Sequence, residues 1–285
     1  MQLIETRPSM FDHVRSWKRS GFRVALVPTM GALHDGHLAL VSRASDEADV
    51  VVVSIFVNPT QFGPGEDFDA YPRDVSADVD TLRRQGLASH VFAPAPGEIY
   101  PVWPNRTWVE VKGMDTTLCG ATREGHFRGV VTVVSRLFAV VQPDVAVFGM
   151  KDAQQFFILN RLCEDMGFAT RMVGVETVRE ADGLAMSSRN RYLSDEDRRR
   201  APCLYAAVRK ARSLILEGER NVRVIETAMR EELAGTDVDY ASIVDTALLR
   251  PVDTLRPGME ILAAVAVYFD RARLIDNTVV TVPVP

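Results

Sequence analysis

An unbroken apolar run, Val24-Ala25-Leu26-Val27, stops at Pro28 and gives way beyond Gly31 to a pattern of helical period. A short apolar run bounded by turn residues reads as a strand buried on both faces. From Gly36 onward Leu40 and Ala44 share one helical face with Val41 beside it. The same alternation recurs downstream. Val50–Val57 reads as a second buried strand, 74–85 as a helix, His90–Phe92 as a short strand and Val130–Val141 as an apolar helix. Val145–Phe148 and Arg171–Val175 then supply further strands, and Pro8 and Gly21 bracket an N-terminal helix over 8–20. Strand, helix and strand in that order form a right-handed unit with parallel strands side by side. The expected fold is therefore α/β, a Rossmann-like doubly wound parallel sheet.

In such a sheet ligands bind beyond the carboxyl ends of the strands. The first strand ends just before His34-Asp35-Gly36-His37, at the start of a helix. Backbone N–H groups and aligned peptide dipoles favour phosphate at a helix start. Two imidazoles add donors, and Gly36 lets an oxygen approach the backbone. A metal site is disfavoured, because no Cys or third His lies nearby at ligand spacing.

Other strand ends carry polar groups as well. Asn58-Pro59-Thr60-Gln61 is turn chemistry that brings an amide to the same edge. Arg123 and Arg128, in a glycine-flexed loop, suit either an anion or an exposed surface. Lys151 at a helix start is electrostatically odd, since cations favour helix C-termini, and a polyphosphate would resolve the oddity. Gln155 follows at i,i+4 on the same side as Lys151. Asp152 suits either ribose hydroxyls or the helix start. Met186-Ser187-Ser188-Arg189 places two hydroxyls and a guanidinium on a loop suited to polyphosphate, and Ser194 is expected to cap the next helix.

A domain boundary is placed near residue 180, giving 1–180 and 181–285. The second part reads as a smaller C-terminal α+β domain, with helices over 195–217 and 222–233 and strands over 238–244, 259–268 and 274–275. Arg198-Arg199-Arg200 is expected on a solvated helix face. The 33 Lys+Arg against 38 Asp+Glu give a net charge of −5, which argues against a nucleic-acid partner. Cys119, Cys163 and Cys203 are far apart and read as thiols of a reducing compartment. No signal core or membrane span is found, so a cytoplasmic location is expected.

The string Pro28 to His37 resembles the nucleotide signature of the superfamily that includes class I aminoacyl-tRNA synthetases. It is similar in particular to the pantothenate synthetase family. Residues 58–62, 149–155 and 186–190 match that family in order and spacing. The resemblance implies condensation of pantoate with β-alanine at the expense of ATP, through a pantoyl adenylate. It assigns ATP to Met30, Gly31, Ala32, Leu33, His34, Asp35, Gly36 and His37, to Gly149, Met150, Lys151 and Asp152, and to Val178, Met186, Ser187, Ser188 and Arg189. His37, His34 and Lys151 are the implied catalytic residues. Gln61 and Gln155 are assigned to pantoate, and Gln61 also to β-alanine. Mg²⁺ is expected with ATP, and a homodimer is implied. The family often carries paired acids early in the helix over 74–85. Here the pair reads Ala77-Asp78, which leaves Asp78 either as a metal ligand or as a solvated side chain. Met150 stands where the family usually has a carboxylate, and Glu176 where it has proline. Two other readings are a nucleotidyltransferase of the same superfamily and a non-catalytic ATP-sensing module.

Overall fold

The computed structural model describes residues 1–270 and 272–284. The chain runs through β1 (Gln2–Ile4), α1 (Arg7–Arg19), β2 (Val24–Thr29), α2 (Asp35–Glu47) and β3 (Val50–Ile55). Next come α3 (Val75–Gln85), β4 (His90–Phe92), α4 (Pro96–Ile99), α5 (Cys119–Thr122), α6 (His126–Val141) and β5 (Val145–Gly149). Then follow α7 (Ala153–Met166), β6 (Arg171–Val175), α8 (Asp195–Arg200), α9 (Cys203–Leu216) and α10 (Val222–Glu232). The chain closes with β7 (Asp237–Asp245), β8 (Glu260–Phe269) and β9 (Ala272–Thr281). It divides into two compact units. The first comprises Met1–Val111, Arg123–Met150 and Ile158–Glu176; the second comprises Lys112–Thr122, Lys151–Phe157 and everything from Thr177 onward.

In the first unit six parallel strands lie in the order β1-β4-β3-β2-β5-β6. Every residue of β3 is buried, as is β2 apart from Pro28, because helices cover both faces of such a sheet. Val27, Leu40, Val53, Val91 and Val147 share one core beneath α2 and α3. From β2 the chain builds outward through β3 and β4; β5 and β6 add to its other side. The order therefore reverses between β2 and β5, and the crevice beyond their carboxyl ends is the switch point where this fold binds ligands. Strand β1 has no counterpart in the sequence reading, since three residues are too few to show a period.

The second unit holds the antiparallel sheet β7-β8-β9. Leu204, Val208 and Ile215 of α9 share a core with Ile225 and Met229 of α10 and with Ile261, Val265 and Val267 of β8. Three expectations are corrected here. The helix over 195–217 is two helices, because Pro202 has no N–H to return to Arg198 and interrupts the ladder. Strand β9 has ten residues where two were expected, because its polar middle, Asp276-Asn277-Thr278, hides the strand pattern. Arg198 is not simply solvated, for it pairs with Glu180 and Asp182 at 2.5 Å each. A single cut near 180 also misses two pieces of the second unit. Gln154 fastens 114–119 by accepting from the Cys119 N–H and donating to the Met114 and Thr117 carbonyls.

One half-buried imidazole makes stability pH-dependent. His90 of β4 packs on Trp17 (ring centroids 4.6 Å apart) and His13 (5.5 Å). Its Nδ1 is buried without a hydrogen-bond partner. Burial, then the charges of His13 and the amino terminus, push its pKa down from 6.5 to about 4. Between those values the unfolded chain binds the proton and the folded chain does not, so stability rises with pH. Stability present above pH 6.5 should fall as pH drops to 4, by roughly 2 kcal/mol once the full shift, worth about 3 kcal/mol, is discounted for solvent screening of the half-exposed ring. Urea titrations across this window should show the slope, and His90→Phe should flatten it; an unchanged slope in the variant would assign the loss elsewhere.

Candidate active site

The loop after β2 is shaped by two left-handed residues, Gly31 (φ +84°) and Ala32 (φ +52°). A Cβ on Gly31 would lie 2.7 Å from Asp78 Oδ2, so this position requires glycine. Asp78, on α3, is 6% exposed, and its two oxygens accept from the Ala32 N–H (3.0 Å) and the Leu33 N–H (2.8 Å). Burial raises the pKa of this carboxyl, and the two N–H groups oppose the rise. This corrects the solvated reading of Asp78: its carboxylate holds the nucleotide-signature loop in a conformation that Ala32 alone disfavours. Among the described residues no group of three or more His, Cys, Asp or Glu is arranged to hold a metal ion.

His34 and His37 cap α2 reciprocally. The Gly36 N–H donates to His34 Nδ1 (3.1 Å), and the His34 N–H donates to His37 Nδ1 (3.3 Å). Their ring centroids are 4.2 Å apart. Because each Nδ1 accepts, the proton of each ring resides on Nε2. The helix start thus carries two imidazole N–H donors with fixed tautomers, in addition to its own peptide dipoles. Asp35 is the first residue of α2.

Gln61 sits in a short 3-10 turn, Pro59–Gln61, capped by Asn58. Its carboxamide accepts from Asn58 Nδ2 (3.0 Å) and donates to the Met30 sulfur (3.1 Å), which ties the turn to the loop after β2. Asn58 is 1% exposed; it also donates to the Gly129 carbonyl (3.2 Å) and accepts from the Tyr100 hydroxyl (2.7 Å). His126 donates through Nδ1 to the Gln61 carbonyl (2.8 Å), while its Nε2 accepts from Arg123 (2.9 Å). Arg123 in turn grips Glu66 at 2.8 and 2.7 Å and holds the Glu66 carboxyl below its usual range. Arg123, read from sequence as an anion ligand or a surface residue, is the middle of this chain. Arg128 lies over the Trp108 ring and 3.4 Å from Glu110. Asn58, Tyr100 and Glu66 were missed by sequence reasoning, since their roles depend on partners up to 71 residues away.

In the same unit Gly149 ends β5, beside β2, and Met150 follows it. In the second unit Lys151 and Asp152 lie in a 3-10 turn, with Lys151 Nζ 3.6 Å from Asp152. Helix α7 begins only at Ala153, so Lys151 lies outside the helix and does not share a helical face with Gln155, contrary to the i,i+4 expectation. Gln155 is half-buried, and its neighbour Gln154 does the structural work described above. Val178 and Met186 face each other in a hairpin, with the Met186 N–H donating to the Val178 carbonyl at 2.9 Å. The hairpin leads into Ser187, which caps a turn by accepting from the Arg189 N–H (3.2 Å), and into Ser188. The expected Ser194 cap is present, accepting from the Asp197 N–H at 3.1 Å.

A family model described as pantoate-beta-alanine ligase matches residues 2–279. A pantothenate synthetase of Salinibacter ruber is 54% identical, with 99% of each chain covered. The crystal structure of pantothenate synthetase from Thermus thermophilus is similar at a TM-score of 0.87 and 44% identity, covering 98% of this chain and 99% of that one. The pantoate-beta-alanine ligase of Francisella tularensis, complexed with beta-gamma ATP and beta-alanine, is similar at 0.78 and 31% identity, covering 98% and 97%. On the whole-length match and these identities, the chain belongs to the pantoate–β-alanine ligase family.

Proposed function

We propose that this chain joins pantoate to β-alanine at the expense of ATP, by way of a pantoyl adenylate. The observation that carries the reading is the reciprocal cap at the carboxyl end of β2, which fixes Nε2–H donors on His34 and His37 at a helix start. The Francisella relative bound to an ATP compound and β-alanine supports the choice of substrates.

A carboxylate is a poor electrophile, so a pantoate oxygen first attacks the α-phosphorus of ATP. The bond to the bridging oxygen breaks and pyrophosphate leaves. The β-alanine nitrogen then attacks the acyl carbon, AMP departs with the former carboxylate oxygen, and the new amide nitrogen releases its proton. No covalent enzyme intermediate is needed. The protein positions the groups and stabilises charge growing on phosphate oxygens. His34 and His37 supply neutral donors, Lys151 and Arg189 positive charge, and Ser187 and Ser188 hydroxyls. Gln61 and Gln155 hold pantoate, and Gln61 also meets β-alanine. Magnesium belongs to the substrate as MgATP, a mode typical of an ion held through phosphates and water. A homodimer and a cytoplasmic location complete the reading, following the family resemblance and the acidic, disulfide-free character of the sequence.

Mass spectrometry of products from ATP, pantoate and β-alanine tests it. Pantothenate, AMP and pyrophosphate in equal amounts are expected. ADP in place of AMP, or nucleotidyl transfer to a phosphate with no amide, would overturn the proposal.

A further inference from the structure

Two adjacent residues in the middle of β9 are connected to both phosphate-handling loops of the second unit. Among the described residues strand β9 is an edge strand paired with β8, with Asp276 opposite Val265 and Asn277 opposite Ala264. Successive strand residues leave the sheet on opposite faces, so the two side chains serve different neighbours. Asp276 is 2% exposed, and its carboxylate takes both terminal nitrogens of Arg179 at 2.6 and 2.9 Å. The Arg179 guanidinium lies 3.8 Å from the Tyr205 ring centroid and donates to the Gly183 carbonyl (3.0 Å). It therefore fastens the turn of the hairpin whose arms meet at Arg179 and Ala185, and whose outgoing arm becomes Met186-Ser187-Ser188-Arg189. Asn277 donates through Nδ2 to the Lys151 carbonyl (2.8 Å), which fixes the backbone from which the lysine side chain departs. The Asn277 N–H closes the set by donating to Asp276 Oδ1 at 2.7 Å.

A buried ion pair is a poor source of stability, because desolvation offsets its Coulomb energy, whereas a fork-to-fork pair specifies geometry well. We infer that Asp276 and Asn277 are positioning residues that set the Lys151 turn and the Val178–Arg189 hairpin in register for the attack on ATP. This rests on the reading above, in which Lys151, Ser187, Ser188 and Arg189 handle ATP phosphates. Its specific consequence is a split between half-reactions. Register between these loops matters while pyrophosphate is leaving, and matters little once the acyl adenylate has formed.

The test measures pantoate-dependent exchange of labelled pyrophosphate into ATP, and separately the single-turnover reaction of synthetic pantoyl adenylate with β-alanine. Asn277→Ala should depress exchange about 10- to 100-fold, the usual cost of a small misplacement of reacting groups, and raise the KM for ATP. Amide formation from adenylate should stay within about threefold of wild type. Asp276→Asn, which keeps the shape and removes the charge, should show the same split if it folds; the partly exposed Asn277 keeps the test open if it does not. Equal loss in both half-reactions, or exchange at the wild-type rate in Asn277→Ala, overturns the inference. Lys151→Ala and Arg189→Ala separate the two ideas. If they leave exchange intact, the ATP reading of these loops fails. If they abolish it while Asn277→Ala does not, only the positioning role fails.

Discussion

Gly129→Ala should both destabilise the first unit and weaken its hold on pantoate. Gly129 lies in the first turns of α6, where the helix passes directly over the turn that bears Gln61. A Cβ there would sit 2.2 Å from the Thr60 carbonyl oxygen, 2.5 Å from its carbon and 2.7 Å from Gln61 Cα. All three are backbone atoms, so no rotamer change relieves the overlap; either the helix or the turn must move. Overpacking of this kind costs roughly 1–3 kcal/mol, and more where the backbone resists. In a chain of this size each kcal/mol lowers Tm by about 2–4 °C. The displaced turn would also strain the bonds from Asn58 to the Gly129 carbonyl and from His126 to the Gln61 carbonyl. The KM for pantoate should consequently rise more than the KM for ATP. Thermal melting and steady-state kinetics on the purified variant check both parts. A wild-type Tm together with a wild-type KM for pantoate would show that helix and turn separate without cost.

His37→Ala should lower adenylate formation by about 10²–10³-fold, the usual loss when one preorganised donor to a developing oxyanion is removed. The structure adds a complication to this familiar experiment, because His37 also closes the α2 cap by accepting from the His34 N–H. Loss of a cap costs about 0.5–2 kcal/mol by itself, so alanine removes two things at once. His37→Gln separates them. Glutamine at this third helical position can restore the reciprocal bond of a capping box, yet it does not present an imidazole N–H. Its melting temperature should therefore match wild type more closely than that of the alanine variant, with pyrophosphate exchange still deeply reduced. Recovery of exchange to within threefold of wild type in His37→Gln would reassign His37 as a cap and leave the donor role to other groups.

The sequence by itself determined the class of sheet, the order of its strands from β2 to β6 in the chain and the placing of His34 and His37 at a strand-to-helix junction. These are local matters. An apolar run of four to six residues, a 3.6-residue period and a cap three residues long are all read within one short window. Even the capping box at α2 is local, since its donors and acceptors lie within three positions of each other. The tertiary structure alone decided what holds the loops in place. Asp78 reaches back 46 residues to Ala32, Arg123 reaches 57 to Glu66, and Asn277 reaches 126 to the Lys151 carbonyl. Nothing in the immediate neighbourhood of Asp78 distinguishes it from a solvated acid, and Asp276-Asn277 interrupts the apolar pattern by which β9 would have been recognised. Gly129 likewise reads as an ordinary weak point in a helix until Thr60 is seen against it. A buried polar group must find its partner wherever the fold brings one. That partner is chosen by packing over long chain separations, which residue type and spacing do not encode.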